Sequence, residues 1–75
     1  MNDKLFKTIL KRYEAAIEDA AYKIDIICEQ TLVIPEHIDI TGEIDKLLQI
    51  IAENEDKVAV MRKYYVGKKA DKQVL

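Results

Sequence analysis

The stretch that decides the fold runs from residue 3 to residue 30 and reads DKLFKTILKRYEAAIEDAAYKIDIICEQ. Its apolar residues recur in alternating steps of four and three, the heptad spacing of a helix that packs along a seam against another helix. The seam residues are Phe6, Leu10, Tyr13, Ile17, Ala20, Ile24 and Ile27. A flanking set widens the apolar face and consists of Ile9, Ala16, Ala21 and Cys28. The width of this face predicts contact with more than one helix.

A second helix with the same spacing is predicted at residues 41–66, with Thr41 as its N-cap and Gly67 as its stop. Its seam residues are Ile44, Leu47, Ile51, Val58, Met61 and Tyr65. Asn54 also falls on the seam, where it either fixes register as a buried polar residue or marks a break in the helix. We favour one continuous helix, because Ala52, Glu53 and their neighbours tolerate or favour helix.

Residues 31–40 are predicted to form the connection between the two helices. Val33 and Ile34 are β-branched and precede Pro35, which cannot sit inside a helix and disfavours helix at the residue before it. The first helix is predicted at about residues 3–30, with Asn2 or Asp3 as its cap. After the connection, the second helix runs back along the first. The predicted fold is all-α, an antiparallel two-helix hairpin over residues 1–66, with a flexible basic tail at residues 67–75.

Size limits the stability of such a hairpin. A domain of 75 residues buries only about 60% of the surface of its unfolded chain. Apolar burial along a single helix–helix seam offsets little of the conformational entropy that the chain loses on folding. Two hairpins that pair into a four-helix bundle would bury the flanks as well, so we expect a homodimer with the seam residues in its interior. Residues outside the strict seam would show whether the apolar face serves self-association or another target: Leu5, Ile9, Ile26, Leu48 and Ile50.

Cysteine usage and hydropathy suggest the compartment. Cys28 is the single cysteine and is expected to be a small buried residue, so the chain has no disulfide framework. No apolar run approaches the roughly 20 residues that span a bilayer, and the first residues lack the apolar segment of a signal peptide. We therefore expect a soluble, cytoplasmic protein without membrane contact.

Charge is distributed unevenly along the chain. Residues 1–13 carry four basic and one acidic side chain, residues 14–56 two basic and twelve acidic, and residues 57–75 six basic and one acidic. An antiparallel hairpin brings the two basic segments together at its open end, where a negatively charged macromolecule could bind. Acidic proteins are expected partners, and nucleic acid or a nucleotide is an alternative. The candidate binding residues are Lys7, Lys11, Arg12, Arg62, Lys63, Lys68, Lys69 and Tyr64, together with Lys4.

Residue patterns for catalysis or metal binding are sparse. His37 is the single histidine, which is too few nitrogen and sulfur ligands for a structural zinc site even with Cys28 nearby in sequence. Four carboxylates lie on one outer stripe of the first helix, and a solvated face is their expected role: Glu14, Glu18, Asp25 and Glu29. We expect no cofactor, no metal and no catalytic residue from these patterns.

One stretch, residues 31–48, reads TLVIPEHIDITGEIDKLL. It resembles the loop and second helix of the small aspartyl-phosphate phosphatases that act on sporulation response regulators, which are also helical hairpins. Their signature Ser-Gln-Glu-Leu-Asp corresponds to Thr41, Gly42, Glu43, Ile44 and Asp45 here. Glu43 and Asp45 are identical, whereas Gly42 replaces a glutamine. The resemblance implies that Glu43 and Asp45 act on, or dock to, a phospho-aspartate; an acidic helix start also suits the helix dipole without any function.

Three functions follow from these patterns. The favoured one is a small non-enzymatic regulator or inhibitor, bacterial or viral, that self-associates and binds and modulates another macromolecule. The alternatives are a phosphatase-like regulator of a response regulator and a nucleotide or nucleic-acid binder at the basic end.

Overall fold

Two helices make up the described part of the chain. The structure is a computed structural model and describes residues 1–29 and 39–66. Helix α1 spans Asp3–Glu29 and helix α2 spans Ile40–Met61, after which a π-helical turn continues from Arg62 to Val66. The described residues contain no strand. The prediction of an all-α chain with two helices is confirmed.

The two helices pack side by side and run in opposite directions. The Lys57 ammonium near the end of α2 lies 5.4 Å from the ring centre of Tyr13 in the first half of α1. Ile9 also lies against Met61 at the rim of a shared groove. The start of α1 is therefore next to the end of α2, as in a helical hairpin.

Helix α1 begins at a side-chain cap. The Asn2 carboxamide oxygen accepts a hydrogen bond of 2.8 Å from the Leu5 amide, and the Asn2 carbonyl accepts one of 3.0 Å from the Phe6 amide. The first bond satisfies an amide that has no backbone partner within the helix, and the second is the first backbone bond of α1. Asn2, rather than Asp3, is therefore the cap of α1.

The N-cap of α2 is Asp39, and the prediction of Thr41 is wrong. The Asp39 carboxylate accepts hydrogen bonds from the Gly42 amide at 2.9 Å and from the Thr41 hydroxyl at 3.2 Å. Thr41 already lies inside the first turn, so its hydroxyl supports the cap instead of forming it. A Cβ atom on Gly42 would collide with this carboxylate. The glycine thus leaves room for the Asp39 carboxylate in this position, and a larger residue would require that side chain to shift.

We expect Asp39→Ala to lower the free energy of unfolding by about 1 kcal/mol, because an amide at the start of α2 loses its acceptor. Asp39→Asn is the matched control, since its carboxamide oxygen can still accept the bond from Gly42. Urea titrations followed by circular dichroism compare the variants. Equal losses for alanine and asparagine would contradict the role of this side chain as a cap.

Helix α2 passes through Asn54 without a break, as predicted. The Asn54 carboxamide donates a 2.7 Å hydrogen bond to the carbonyl of Ile50, one turn earlier in the same helix. Asn54 is half-buried on the seam. Because its amide nitrogen is satisfied within α2, the helix tolerates a polar residue at this position.

The contact between α1 and α2 buries few side chains completely. Ala20 and Met61 are the only buried residues among positions 1–29 and 39–65, with 1% and 6% of their surface exposed. Ala20 is small enough to let the helices approach closely at this level. The other seam residues keep part of their surface in solvent, so the described hairpin has a seam but no closed core.

Candidate interaction surface

The open end of the hairpin, residues 1–13 and 57–66, brings the two basic segments together. The Lys57 ammonium over the Tyr13 ring joins α2 to α1. A second cation–π contact places the Lys63 ammonium 5.2 Å from the ring centre of Tyr64. Each exposed pair contributes about 0.5–1 kcal/mol and leaves the positive charge accessible to solvent.

A shallow groove of about 290 Å³ runs between the helices at this end. Its wall is mainly apolar and is formed by Met1, Ile9, Tyr13, Val60, Met61 and Tyr65, with Asp56 and Lys57 at its polar edge. The groove is open to solvent rather than enclosed. It is therefore better suited to an apolar side chain of a neighbouring protein than to a fully buried small molecule.

The candidate basic residues within the described part of the chain are all exposed. Lys7, Lys11, Arg12, Arg62 and Lys63 belong to the open end, and Lys4 lies with them. Lys68 and Lys69 lie outside the described residues. The Lys7 ammonium pairs with the Asp3 carboxylate at 3.1 Å, but both side chains are more than half exposed. Solvent screens such a pair, so Lys7 still adds to the positive potential of this end.

The predicted seam residues face the partner helix to different degrees. Met61 is buried. Ten others are half-buried: Phe6, Leu10, Tyr13, Ile17, Ile24, Ile27, Ile44, Leu47, Ile51 and Val58. Their partial burial is consistent with a helix seam, and their role in an oligomer interface stays a prediction.

Tyr65 and Cys28 depart from their predicted environments. Tyr65 is exposed, because the π-helical turn from Arg62 to Val66 widens the helix and displaces the residue from the regular heptad series. Cys28 lies in the last turn of α1 and is exposed, so the prediction of a buried cysteine is wrong.

A second apolar surface lies beside the seam. We call Leu5, Ile9, Ile50, Val60 and Tyr64 the apolar flank. Leu5, Ile50 and Val60 are 47%, 40% and 42% exposed, Tyr64 is exposed as well, and Ile9 is half-buried. Ile9 and Val60 line the same groove, which places the α1 and α2 parts of the flank on one side of the hairpin.

Val60 was not predicted as part of any surface. The sequence spacing indicates that Val60 shares a surface with other apolar residues, because Val60 precedes Tyr64 by four residues and Ile50 precedes Tyr64 by two heptads. Residues at these spacings share one side of a helix. Leu48 lies two positions from Ile50 and therefore projects from the other side of α2, where it is also exposed. Ile26 is half-buried near the end of α1.

The carboxylates do not form a catalytic arrangement in the described part of the chain. Glu43 and Asp45 are exposed in the first turns of α2, and Glu43 pairs with the Lys46 ammonium at 3.4 Å. Two positions apart on a helix, their side chains diverge. Glu14, Glu18, Asp25 and Glu29 are exposed, which confirms the solvated stripe on α1. Across residues 1–29 and 39–66, no three potential metal ligands cluster; His37 lies outside these residues.

Neither described helix combines the length and apolar character needed to cross a bilayer. Comparison with known proteins adds no relative: no protein-family model, curated protein or solved structure matches this chain.

Proposed function

We propose that this chain is a small non-enzymatic interaction protein that self-associates through its apolar flank and binds and modulates another macromolecule. The observation that supports the proposal is that the hairpin buries few of its own apolar side chains. Within the described residues two side chains are buried, whereas Leu5, Ile50 and Val60 of the apolar flank each expose 40% or more of their surface. A surface of this kind is typical of an element that completes its packing on another chain.

Energetics favour association over an isolated hairpin. Ordering a residue costs about 1.5 kcal/mol, and fully burying one large apolar side chain returns about 1.5–3 kcal/mol. The half-buried seam recovers only part of that gain. A second hairpin laid on the apolar flank would bury the same side chains and cover the groove, which gives the four-helix arrangement that two-helix chains commonly adopt.

The unfolding transition should therefore depend on protein concentration. If folding is coupled to dimerisation, a hundredfold rise in chain concentration stabilises the folded state by about 2.7 kcal per mole of dimer, by mass action. Thermal unfolding followed by circular dichroism at about 1 µM and 100 µM should show a clearly higher Tm in the concentrated sample. A cooperative transition with the same Tm at both concentrations would contradict self-association.

Binding of another macromolecule is assigned to the open end. Lys4 and Lys11 lie one heptad apart on the outer side of α1, and Lys63 extends from the last described turn of α2. These cations are exposed in the described hairpin and are not members of the apolar flank. Their positive potential suits an acidic protein surface, and the salt dependence of such binding is expected to be steep.

A charge-reversal pair tests this assignment. We expect Lys11→Glu with Lys63→Glu to weaken binding of a fluorescent polyglutamate peptide by tenfold or more at low salt. Lys23→Glu with Lys46→Glu is the matched control, because it makes the same change of net charge on exposed lysines outside the open end. Fluorescence anisotropy gives the affinities, and circular dichroism verifies the helix content. Equal weakening by both double variants would show that net charge, not the open end, governs binding.

A further inference from the structure

The two ends of the hairpin carry net charges of opposite sign. The open end, residues 1–13 and 57–66, carries seven basic and one acidic side chain. Residues 14–29 and 39–56, which we call the acidic half, carry two basic and eleven acidic side chains. Helix capping does not require this division, because Lys4 and Lys7 lie near the N-terminus of α1, where the helix dipole disfavours cations.

The apolar flank extends from the open end into the acidic half. Leu5, Ile9, Val60 and Tyr64 lie at the open end, and Ile50 lies past the midpoint of the hairpin. Any chain that covers the whole flank therefore faces both a positive and a negative half. Arg12 and Lys57 are exposed beside the flank at its positive end, and Asp19 and Glu53 are exposed on its negative side.

We infer that the occupant of the apolar flank is a second copy in inverted orientation, with the open end of each hairpin on the acidic half of the other. This inference rests on the proposed self-association and specifies its geometry. Pairing in the same orientation would place the two positive ends together and the two negative halves together. Inversion places each positive end on a negative half, and charges that come within about one Debye length, roughly 8–10 Å, attract each other at physiological salt.

The register of the hairpin shows which charges meet. The Tyr13–Lys57 contact places these two residues at one level along the helices. Residue 16 is the midpoint of Asp3–Glu29, so full inverted overlap brings the level of Tyr13 and Lys57 to the level of Asp19 in the second copy. Asp19 pairs with Lys23 at 2.9 Å within its own helix, yet its side chain remains 63% exposed. Lys57 and Arg12 of one copy therefore lie close to the level of Asp19 of the other along the bundle axis.

Spin-label distances test the orientation in the full chain. The variants carry Cys28→Ser and one new cysteine, either Lys4→Cys at the open end or Ala15→Cys near the midpoint; both positions are exposed. In the inverted dimer, residue 4 lies level with residue 28 of the other copy. At 1.5 Å per residue, the two labels at position 4 are then about 36 Å apart along the axis. The labels at position 15 lie almost level, so their distance reflects the width of the bundle.

Double electron–electron resonance should therefore give a distance of about 36 Å or more at position 4 and a clearly shorter one at position 15. Short distances at both positions would overturn the inverted orientation while leaving self-association intact. Absence of any dipolar coupling at both positions, together with a monomeric mass, would contradict both the orientation and the proposed function.

The direction in which salt changes the dimer Kd tests the orientation independently. Sedimentation equilibrium of the unmodified chain should show a dimer Kd that rises several-fold between about 0.05 M and 0.5 M NaCl, because salt screens the attraction between opposite halves. Pairing in the same orientation predicts the reverse change, since salt would relieve repulsion. A Kd that falls with salt would therefore overturn the inference.

Discussion

Replacement of Met61 by alanine is expected to lower the free energy of unfolding by about 2–5 kcal/mol, the usual cost of truncating a large buried apolar side chain. Met61 is one of two buried residues in the described chain and contributes to the wall of the groove between α1 and α2. Its loss removes contacts with both helices and leaves a cavity that neighbouring half-buried residues fill only in part. For a small domain this cost is a large share of total stability.

Leu48→Ala is the matched control for Met61→Ala. Leu48 is 51% exposed and lies on the other side of α2 from the apolar flank, so its truncation should cost less than about 1 kcal/mol. Urea unfolding at one fixed protein concentration compares the two variants with the parent chain. If both variants lose the same stability, the packing of α2 on α1 is not as described.

The second large effect is expected for Val60→Asp, which should abolish dimerisation and with it most helical structure at micromolar concentration. Val60 lies at the centre of the open-end part of the apolar flank, beside Ile9 in the groove. A dimer interface over this position would bury an unpaired carboxylate, which costs several kcal/mol. In an isolated hairpin the same carboxylate would stay in solvent at little cost.

Ala15→Asp controls for the added charge. Ala15 is exposed on α1, outside both the seam and the flanking positions, so its substitution should leave the mass and the ellipticity close to those of the parent. Size-exclusion chromatography and circular dichroism on the same samples separate loss of assembly from loss of helix. A dimeric, fully helical Val60→Asp protein would show that the apolar flank is not the interface.

Periodicity was enough to predict both helices and the continuity of α2, because the heptad series has the same phase before and after Asn54. Local capping was harder to predict. Asp39 and Thr41 are both good cap residues at neighbouring positions, and only the three-dimensional structure shows that the carboxylate reaches the Gly42 amide. The hydroxyl of Thr41 is instead a donor to that cap.

The interaction surface was predictable in outline and not in detail. The basic segments at residues 1–13 and 57–66 meet because the hairpin is antiparallel, and that follows from the helix–loop–helix pattern. The seam pattern cannot show which side of it remains uncovered, since this depends on how α1 and α2 rotate about their axes. Val60 was missed for that reason. Tyr65 was misplaced because the π-helical turn changes the residue spacing at the end of α2.

Solution mass tests the central claim most directly, and it is best measured on the full chain by multi-angle light scattering over a concentration series with circular dichroism on the same fractions. Self-association through the apolar flank predicts a helical species of twice the 8.7 kDa chain mass that dissociates and loses helix on dilution. A fully helical species of 8.7 kDa at every concentration would contradict it.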